Sequence, residues 1–293
     1  MKKTVIIIIA VVVLTITALY FKTRSNLPQT TLSSQKIPVV ASFYPLAYFA
    51  EQIGGERISV TNITPSGAEP HDYEPTTTDL TNIAKSTLLI SIGPIFESWQ
   101  GKVVANNVLQ IATALPIENN DPHVWLSPVL SKQIVTKITE ALIEVSPENA
   151  SYFETNKMNL LLKLSQLDEA FKKGLSRCTK HDIVTSHAAF GYIAHQYGFN
   201  QIAIAGLSPD EEPTPQKLTE ITNLVREKNI SYIFFESLVS PRLAQTIANE
   251  THAKTLVFNP LEGLTPEEID RGTNYFSVQG ENLINLRTAL SCM

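Results

Sequence analysis

The sequence predicts an α/β protein built from two parallel-sheet lobes that one long helix joins. Short apolar segments alternate with helical segments both before and after the middle of the chain. This alternation is typical of parallel sheets with crossover helices. A single uninterrupted helical pattern separates the two alternating regions. The 293 residues are enough for about two domains of roughly 100–200 residues each.

The first alternating region contains four short segments rich in β-branched or apolar residues, which predict strands at 37–43, 58–64, 87–93 and 108–113. Helical patterns occupy the intervals, at 46–55, 76–86, 95–106 and 127–145. Gly54 and Gly55 predict the end of the first of these helices, and a threonine cap with an early Asp79 predicts the start of the second.

The central segment predicts the connecting helix. Ser146 is a candidate N-cap and Pro147 suits the first helical position. Apolar residues then recur at spacings of 7, 4, 3 and 4, which place them on one helical face: Phe153, Leu160, Leu164, Leu167 and Phe171. At 1.5 Å per residue the helix would extend about 45 Å, which is enough to span two small lobes.

The second alternating region repeats this plan. Strands are predicted at 182–187, 199–206 and 230–237, and a strand followed by a loop at 254–265. Helices are predicted at 188–198, 214–229, 240–252 and 274–289. The resulting domain prediction is a signal or anchor segment 1–24, a linker 25–36, a first lobe 37–145, a connecting helix 146–177 and a second lobe 178–293.

The N-terminus predicts export. Lys2 and Lys3 precede an uncharged, mostly apolar run of ~18 residues, long enough to be a candidate membrane span. No convincing A-x-A cleavage site follows the run, so we expect an uncleaved anchor rather than a cleaved signal peptide. The protein would then be periplasmic or lie on the outer face of the cytoplasmic membrane.

The overall charge argues against one class of partner. The net charge is −5 and the pI about 5.7, with 43% hydrophobic residues. A nucleic-acid-binding protein would need a basic face, which this balance does not indicate. We therefore expect no nucleic-acid partner. We also expect the protein to be a monomer.

The two cysteines, Cys178 and Cys292, are the only ones in the chain. Exported proteins favour disulfides, so a bond between them is expected, with two free thiols as the alternative. Such a bond would join the C-terminal end to the start of the second lobe and close a loop of over 100 residues.

Three of the six histidines predict a metal site. His71, His123 and His187 each end or follow an apolar run next to a turn or a helix start. His71, His187 and Glu262 follow predicted strands, and ligands of open α/β sheets bind at the carboxyl ends of strands. Neutral imidazole is the commonest protein metal ligand. Three imidazoles and one carboxylate suit tetrahedral Zn²⁺, whereas Mn²⁺ prefers more oxygen ligands.

Other readings of these residues stay open on the sequence alone. Glu69 could compete with Glu262 as the oxygen ligand, and Glu236 could orient a ligand or cap the following helix. The remaining histidines, His181, His195 and His252, are expected to have surface or packing roles. A single histidine at a strand end is more often a hydrogen-bonded turn residue than a ligand.

Six segments, in order, resemble solute-binding protein family 9, the metal-binding receptors of bacterial ABC importers. They are VVASFYPLAYFAEQIGG, GAEPHDYEPT, DPHVWLSP, TSHAAFGYIA, FFESLVSPRLA and NPLEGLT. The resemblance covers roughly residues 37–292. It implies two α/β lobes, a metal in the cleft, and ligands at the positions of His71, His123, His187 and Glu262.

The resemblance also implies a function, namely high-affinity capture of Zn²⁺ outside the membrane and its delivery to an ABC-type permease, with no catalysis. A histidine at the position of His187 resembles the zinc members, since manganese members usually have a carboxylate there. A manganese receptor is the nearest alternative, and a zinc hydrolase, a surface adhesin or a receptor for a chelated metal or haem are further ones. The stretch before His123 lacks the His-rich loop of many zinc members, and the lipid-carrying cysteine of others is absent.

Overall fold

The computed structural model describes residues 36–293, together with Thr15 and Thr17. The predicted signal or anchor segment and the linker lie outside the described residues, apart from these two threonines and Lys36. Within the described part of the chain, no helix combines the length and the apolar character needed to cross a membrane.

The first lobe contains a four-stranded parallel sheet. Its strands are β1 (Ile37–Ala41), β2 (Ile58–Asn62), β3 (Leu88–Ser91) and β4 (Val108–Gln110), in the order β2-β1-β3-β4. The helices of this lobe are α1 (Tyr44–Gly54), α2 (Thr77–Lys85), α3 (Ile111–Ala114) and α4 (Pro128–Val145). Thr76 and Asp79 form a reciprocal capping box at the start of α2, as the sequence indicated.

The second lobe repeats the same strand order. Its strands are β5 (Asp182–Thr185), β6 (Asn200–Ala203), β7 (Tyr232–Phe235) and β8 (Lys254–Val257), all parallel in the order β6-β5-β7-β8. The helices are α6 (Gly191–Tyr197), α7 (Pro215–Glu227), α8 (Arg242–Thr251), α9 (Pro266–Asp270) and α10 (Tyr275–Ala289). The fold class of two parallel-sheet α/β lobes is confirmed.

The connecting helix α5 (Ala150–Leu175) has 26 residues, or about 39 Å at 1.5 Å per residue. The predicted helix started earlier, but Pro147–Asn149 form a separate 3₁₀ turn. The predicted face of α5 is the buried one, with Phe153, Leu164 and Phe171 fully buried. It packs against α1, α4 and α10, so the helix contacts elements of both halves of the chain.

The prediction of a helix at 95–106 is wrong. The segment is irregular, with one 3₁₀ turn at Gln100–Lys102. The buried Glu97 carboxylate accepts hydrogen bonds from the backbone N–H groups of Ile92 and Gly93, which fold the chain back at the end of β3. Phe96 and Trp99 then enter the core from this irregular segment, so their burial does not require a helix.

The main hydrophobic core is shared between the lobes. A single cluster of buried residues includes Val39 and Ile90 from the first sheet and Ile183 and Phe234 from the second. Polar contacts reinforce this junction: Trp125 Nε1 donates to Pro260 O at 2.8 Å. The two lobes therefore share this cluster as well as the connecting helix, and each lobe also has a smaller apolar cluster of its own.

The two cysteines form the expected disulfide, Cys178–Cys292, with a sequence separation of 114. It fastens the end of α10 to the chain just before β5. In the loop-entropy model a closed loop of this length stabilises the fold by on the order of 4–5 kcal/mol.

Candidate metal centre

Four side chains from distant parts of the chain converge at the carboxyl ends of the two sheets. His71 lies in the loop after β2, and His123 directly precedes the 3₁₀ turn Val124–Leu126 that leads into α4. His187 follows β5 and Glu262 follows β8. One ligand atom from each of these residues lies within 4.8 Å of all the others, so the group could hold a metal ion.

Most of the distances between these ligand atoms match the distances between ligands around a tetrahedral metal ion. Glu262 Oε1 lies 3.3 Å from Nε2 of each of the three histidines, and the Nε2 atoms of His123 and His187 are also 3.3 Å apart. Ligands bound at about 2.0–2.1 Å around a tetrahedral Zn²⁺ lie about 3.3–3.4 Å from one another. Four of the six distances between ligand atoms therefore have the length that zinc coordination requires.

Two of the imidazoles are oriented by carboxylates on their far side. His123 Nδ1 lies 2.6 Å from Asp121 Oδ1, and His187 Nδ1 lies 2.7 Å from Glu236 Oε1. Because an ionised carboxylate can only accept a hydrogen bond, each Nδ1–H donates to its carboxylate, which leaves Nε2 free to bind a metal. This is the usual way in which proteins fix the tautomer and ring orientation of a ligating histidine.

The site is buried and electrostatically coupled. The side chains of His123 and His187 are fully buried, Glu262 is 1% exposed and His71 is 9% exposed. Burial alone would raise the pKa of Glu262, but His187 and the hydrogen bonds from the histidines lower that pKa to well below its ordinary value. Burial alone would lower the pKa of His187, but Glu262 and Glu236 raise it to well above the ordinary value.

The wall of the site is aromatic. The ring of Phe96 lies 4.5 Å from that of His71, edge to face, and the ring of Trp125 lies 5.1 Å from that of His123. Phe43 packs behind both aromatic rings. This apolar surround excludes water and strengthens the electrostatic interactions inside the site.

Of the three carboxylates considered from the sequence, Glu262 is the one that approaches the three imidazole Nε2 atoms. Glu69 Oε1 instead accepts a hydrogen bond from the backbone N–H of His71 at 3.1 Å. Burial, and then the neighbouring Glu262, raise the pKa of Glu69 to about 9. Glu236 Oε1 is hydrogen-bonded to His187 Nδ1, so Glu236 is placed to orient this histidine, one of the two roles considered from the sequence. Within residues 36–293, the Oε2 atoms of Glu69, Glu236 and Glu262 are all buried without a hydrogen-bond partner, so only the position of Oε1 distinguishes the three carboxylates.

The other histidines lie outside the site. His181, His195 and His252 are all exposed. His195 is on α6, as expected. His187 lies in a bend between β5 and that helix.

Asp121 is the functional residue that sequence reasoning missed. A repeated pattern could have revealed it, because both first-lobe histidines follow an acidic residue and a proline: Glu69-Pro70-His71 and Asp121-Pro122-His123. In both cases the carboxylate accepts the backbone N–H of the histidine two residues later, at 3.1 and 3.0 Å. For Asp121 this is the turn that aspartate side chains favour, and the longer side chain of Glu69 makes the equivalent contact.

Comparison with known proteins identifies the family of the chain. The family model described as "ZnuA: Zinc-uptake complex component A periplasmic" matches residues 39–289. The chain is 36% identical over 280 residues to the high-affinity zinc uptake system protein ZnuA of Bacillus subtilis, covering 87% of this chain and 88% of that protein. It is 34% identical over 304 residues to the zinc-binding lipoprotein AdcA of Streptococcus pneumoniae, covering 95% of this chain but only 60% of AdcA.

Solved structures share the fold. The Zn(II)-bound ZnuA-like domain of Streptococcus pneumoniae AdcA has 36% identity and a TM-score of 0.78, with 87% of this chain and 99% of that chain covered. The laminin-binding protein Lmb of Streptococcus agalactiae, described as an adhesin with metal-transporting activity, has 29% identity and a TM-score of 0.81, with 87% and 100% covered. This chain belongs to the family of zinc-uptake complex component A, periplasmic.

Proposed function

We propose that the protein binds Zn²⁺ outside the cytoplasmic membrane, with His71, His123, His187 and Glu262 as ligands, and delivers it to an ABC-type import permease. The observation that carries the proposal is the approach of three imidazole Nε2 atoms to one carboxylate oxygen, each at 3.3 Å. The zinc-uptake family and the names of the relatives support the same cargo.

The donor set supports zinc over manganese. Three nitrogen ligands and one oxygen ligand are typical of tetrahedral Zn²⁺, whereas Mn²⁺ prefers a larger number of oxygen ligands. The orienting carboxylates Asp121 and Glu236 are occupied by hydrogen bonds to histidine nitrogens. Mn²⁺ binding, where it occurs, is expected to be weaker.

A hydrolytic role has less support. A catalytic zinc site keeps one coordination position open for water, whereas four protein ligands would close this one. We therefore propose a receptor without catalytic activity, which works as a monomer and has no nucleic-acid partner. The N-terminal apolar run would hold it at the outer face of the membrane.

Isothermal titration of the purified full-length chain with Zn²⁺ and, separately, Mn²⁺ tests the proposal. One tight zinc site and a weaker response to manganese are expected, and His123→Ala or His187→Ala should abolish the tight site. His181→Ala is the matched control, because it removes an exposed histidine far from the ligands. Unchanged zinc binding in both ligand variants would exclude these residues as the site.

A further inference from the structure

The first turn of α6 belongs to the second lobe, yet it lies against the residue that orients a ligand of the first lobe. The Tyr192 hydroxyl donates to the carbonyl oxygen of Asp121 at 3.0 Å. The same hydroxyl accepts from the backbone N–H of Glu118 at 2.8 Å. Tyr192 therefore fixes the backbone of the loop that carries Asp121 at two points.

Gly191 lies against the side chain of Asp121, whereas Tyr192 contacts the backbone of the same loop. A Cβ atom added at Gly191 would lie only 2.9 Å from Asp121 Oδ2. The other oxygen of the same carboxylate, Oδ1, holds His123 Nδ1 at 2.6 Å and its backbone N–H at 3.0 Å. The missing side chain at Gly191 therefore allows Asp121 to occupy the position from which it orients His123.

The first turn of α6 is itself tied to the second-lobe ligand. Gln201 Nε2 donates to the carbonyl oxygen of His187 at 2.8 Å, and Gln201 Oε1 accepts from the backbone N–H of Phe190 at 3.1 Å. This side chain spans the short segment from His187 to the start of α6. As a result, the start of the helix that contacts Asp121 is connected to the backbone of His187 through the side chain of Gln201.

We infer that Gly191 and Tyr192 are positioning residues that make the orientation of His123 depend on the approach of the second lobe. The inference rests on the proposed zinc-binding function and extends it to release. When the lobes are together, α6 holds the Asp121 loop and His123 presents Nε2 to the ion. When a permease draws the lobes apart, Asp121 loses these contacts and His123 loses its fixed orientation, which weakens the hold on zinc.

Zinc affinity and thermal stability, measured on full-length variants, test the inference. Gly191→Ala should weaken zinc binding by about tenfold, the low end of what loss of a histidine-orienting partner costs. Its metal-free melting temperature should not fall, because alanine is favoured over glycine in a helix. Gly280→Ala is the matched control: Gly280 also lies in a helix, α10, with nothing within 4 Å of an added Cβ, so zinc affinity should not change.

Tyr192→Phe keeps the ring and removes the hydroxyl. The variant loses both hydrogen bonds of the hydroxyl, to Asp121 and from Glu118. It should weaken zinc binding by about fivefold, within the range that loss of neutral hydrogen bonds costs, and speed zinc dissociation. Tyr197→Phe is its control, because Tyr197 is on the same helix and donates to Asp168 on α5 instead. That variant should lose stability without losing zinc affinity.

A double-mutant cycle separates positioning from a general structural effect. In an Asp121→Asn background the effects of Gly191→Ala and Tyr192→Phe on zinc affinity should largely disappear, since residues that act through one partner are not additive. Full additivity, or wild-type affinity in Gly191→Ala, would overturn the inference and leave the proposed function intact. A wild-type chain that does not bind zinc would overturn both.

Discussion

The two lobes hold their histidines in different ways. In the first lobe Asp121 orients His123 from two residues away, within one turn of chain. In the second lobe Glu236 orients His187 from 49 residues away, across two neighbouring strands. The carboxylate that orients His123 therefore comes from the same turn of chain, whereas the carboxylate that orients His187 comes from the end of a neighbouring strand of the assembled sheet. Glu262 contacts histidines from both lobes and links the two arrangements.

The largest effect is expected from Glu262→Ala, because among residues 36–293 Glu262 is the only carboxylate that approaches all three histidine Nε2 atoms. Zinc affinity should fall by more than the 10–100-fold expected for loss of an orienting partner. Competition with a chelator of known affinity would measure the change. Glu267→Ala, at the start of α9, is the control. A fall below tenfold would show that the histidines alone bind the ion.

The two orienting carboxylates give the most direct test of the comparison between lobes. Glu236→Ala and Asp121→Ala should each weaken zinc binding by about 10–100-fold. The effect of Glu236→Ala should be the larger, because its side chain is 2% exposed against 13% for Asp121 and its interaction with the imidazole is less screened. Equal losses of zinc affinity in both variants would show that the difference in side-chain exposure has no effect. The pair should be measured by the same titration.

Zinc affinity should decrease as the pH falls. Imidazole must be neutral to bind the ion, and the raised pKa values of His123 and His187 mean that both hold protons more strongly in the metal-free site. As the pH is lowered, zinc affinity should therefore begin to fall while the pH is still above 6.5, the ordinary pKa of imidazole. The fall should be about tenfold per pH unit for each proton that zinc displaces. Titrations in buffers of different ionisation enthalpy would count these protons. An affinity that is constant between pH 8 and pH 6 would exclude the mechanism.

The smallest change in zinc affinity is expected from loss of the disulfide. Cys178→Ser with Cys292→Ser should lower the free energy of unfolding by up to 4–5 kcal/mol on the loop-entropy model. Affinity should change less than threefold, since Glu236 is held by the sheet and not by the C-terminal end. Denaturant unfolding of the metal-free chain and zinc titration measure the two quantities. A large loss of affinity would show that His187 depends on α10 as well.

Much of the fold was accessible from the sequence because its determinants are local. Alternating apolar segments predicted both sheets, and one apolar face predicted α5. The segment 95–106 was mispredicted because its course depends on Glu97, whose carboxylate binds backbone N–H groups of Ile92 and Gly93 in the folded chain. A helical propensity scale contains no information about such a contact.

The sequence by itself determined the order of elements, the placement of His71 and His187 after strands, and the acid-proline-histidine turns of the first lobe. These depend on contacts within a few residues. Only the tertiary structure decided that Glu262, and not Glu69 or Glu236, approaches all three imidazoles, and that one hydrophobic cluster spans both lobes. Those outcomes depend on distances between residues that are 49 to 191 positions apart along the chain, and packing of the two sheets fixes them.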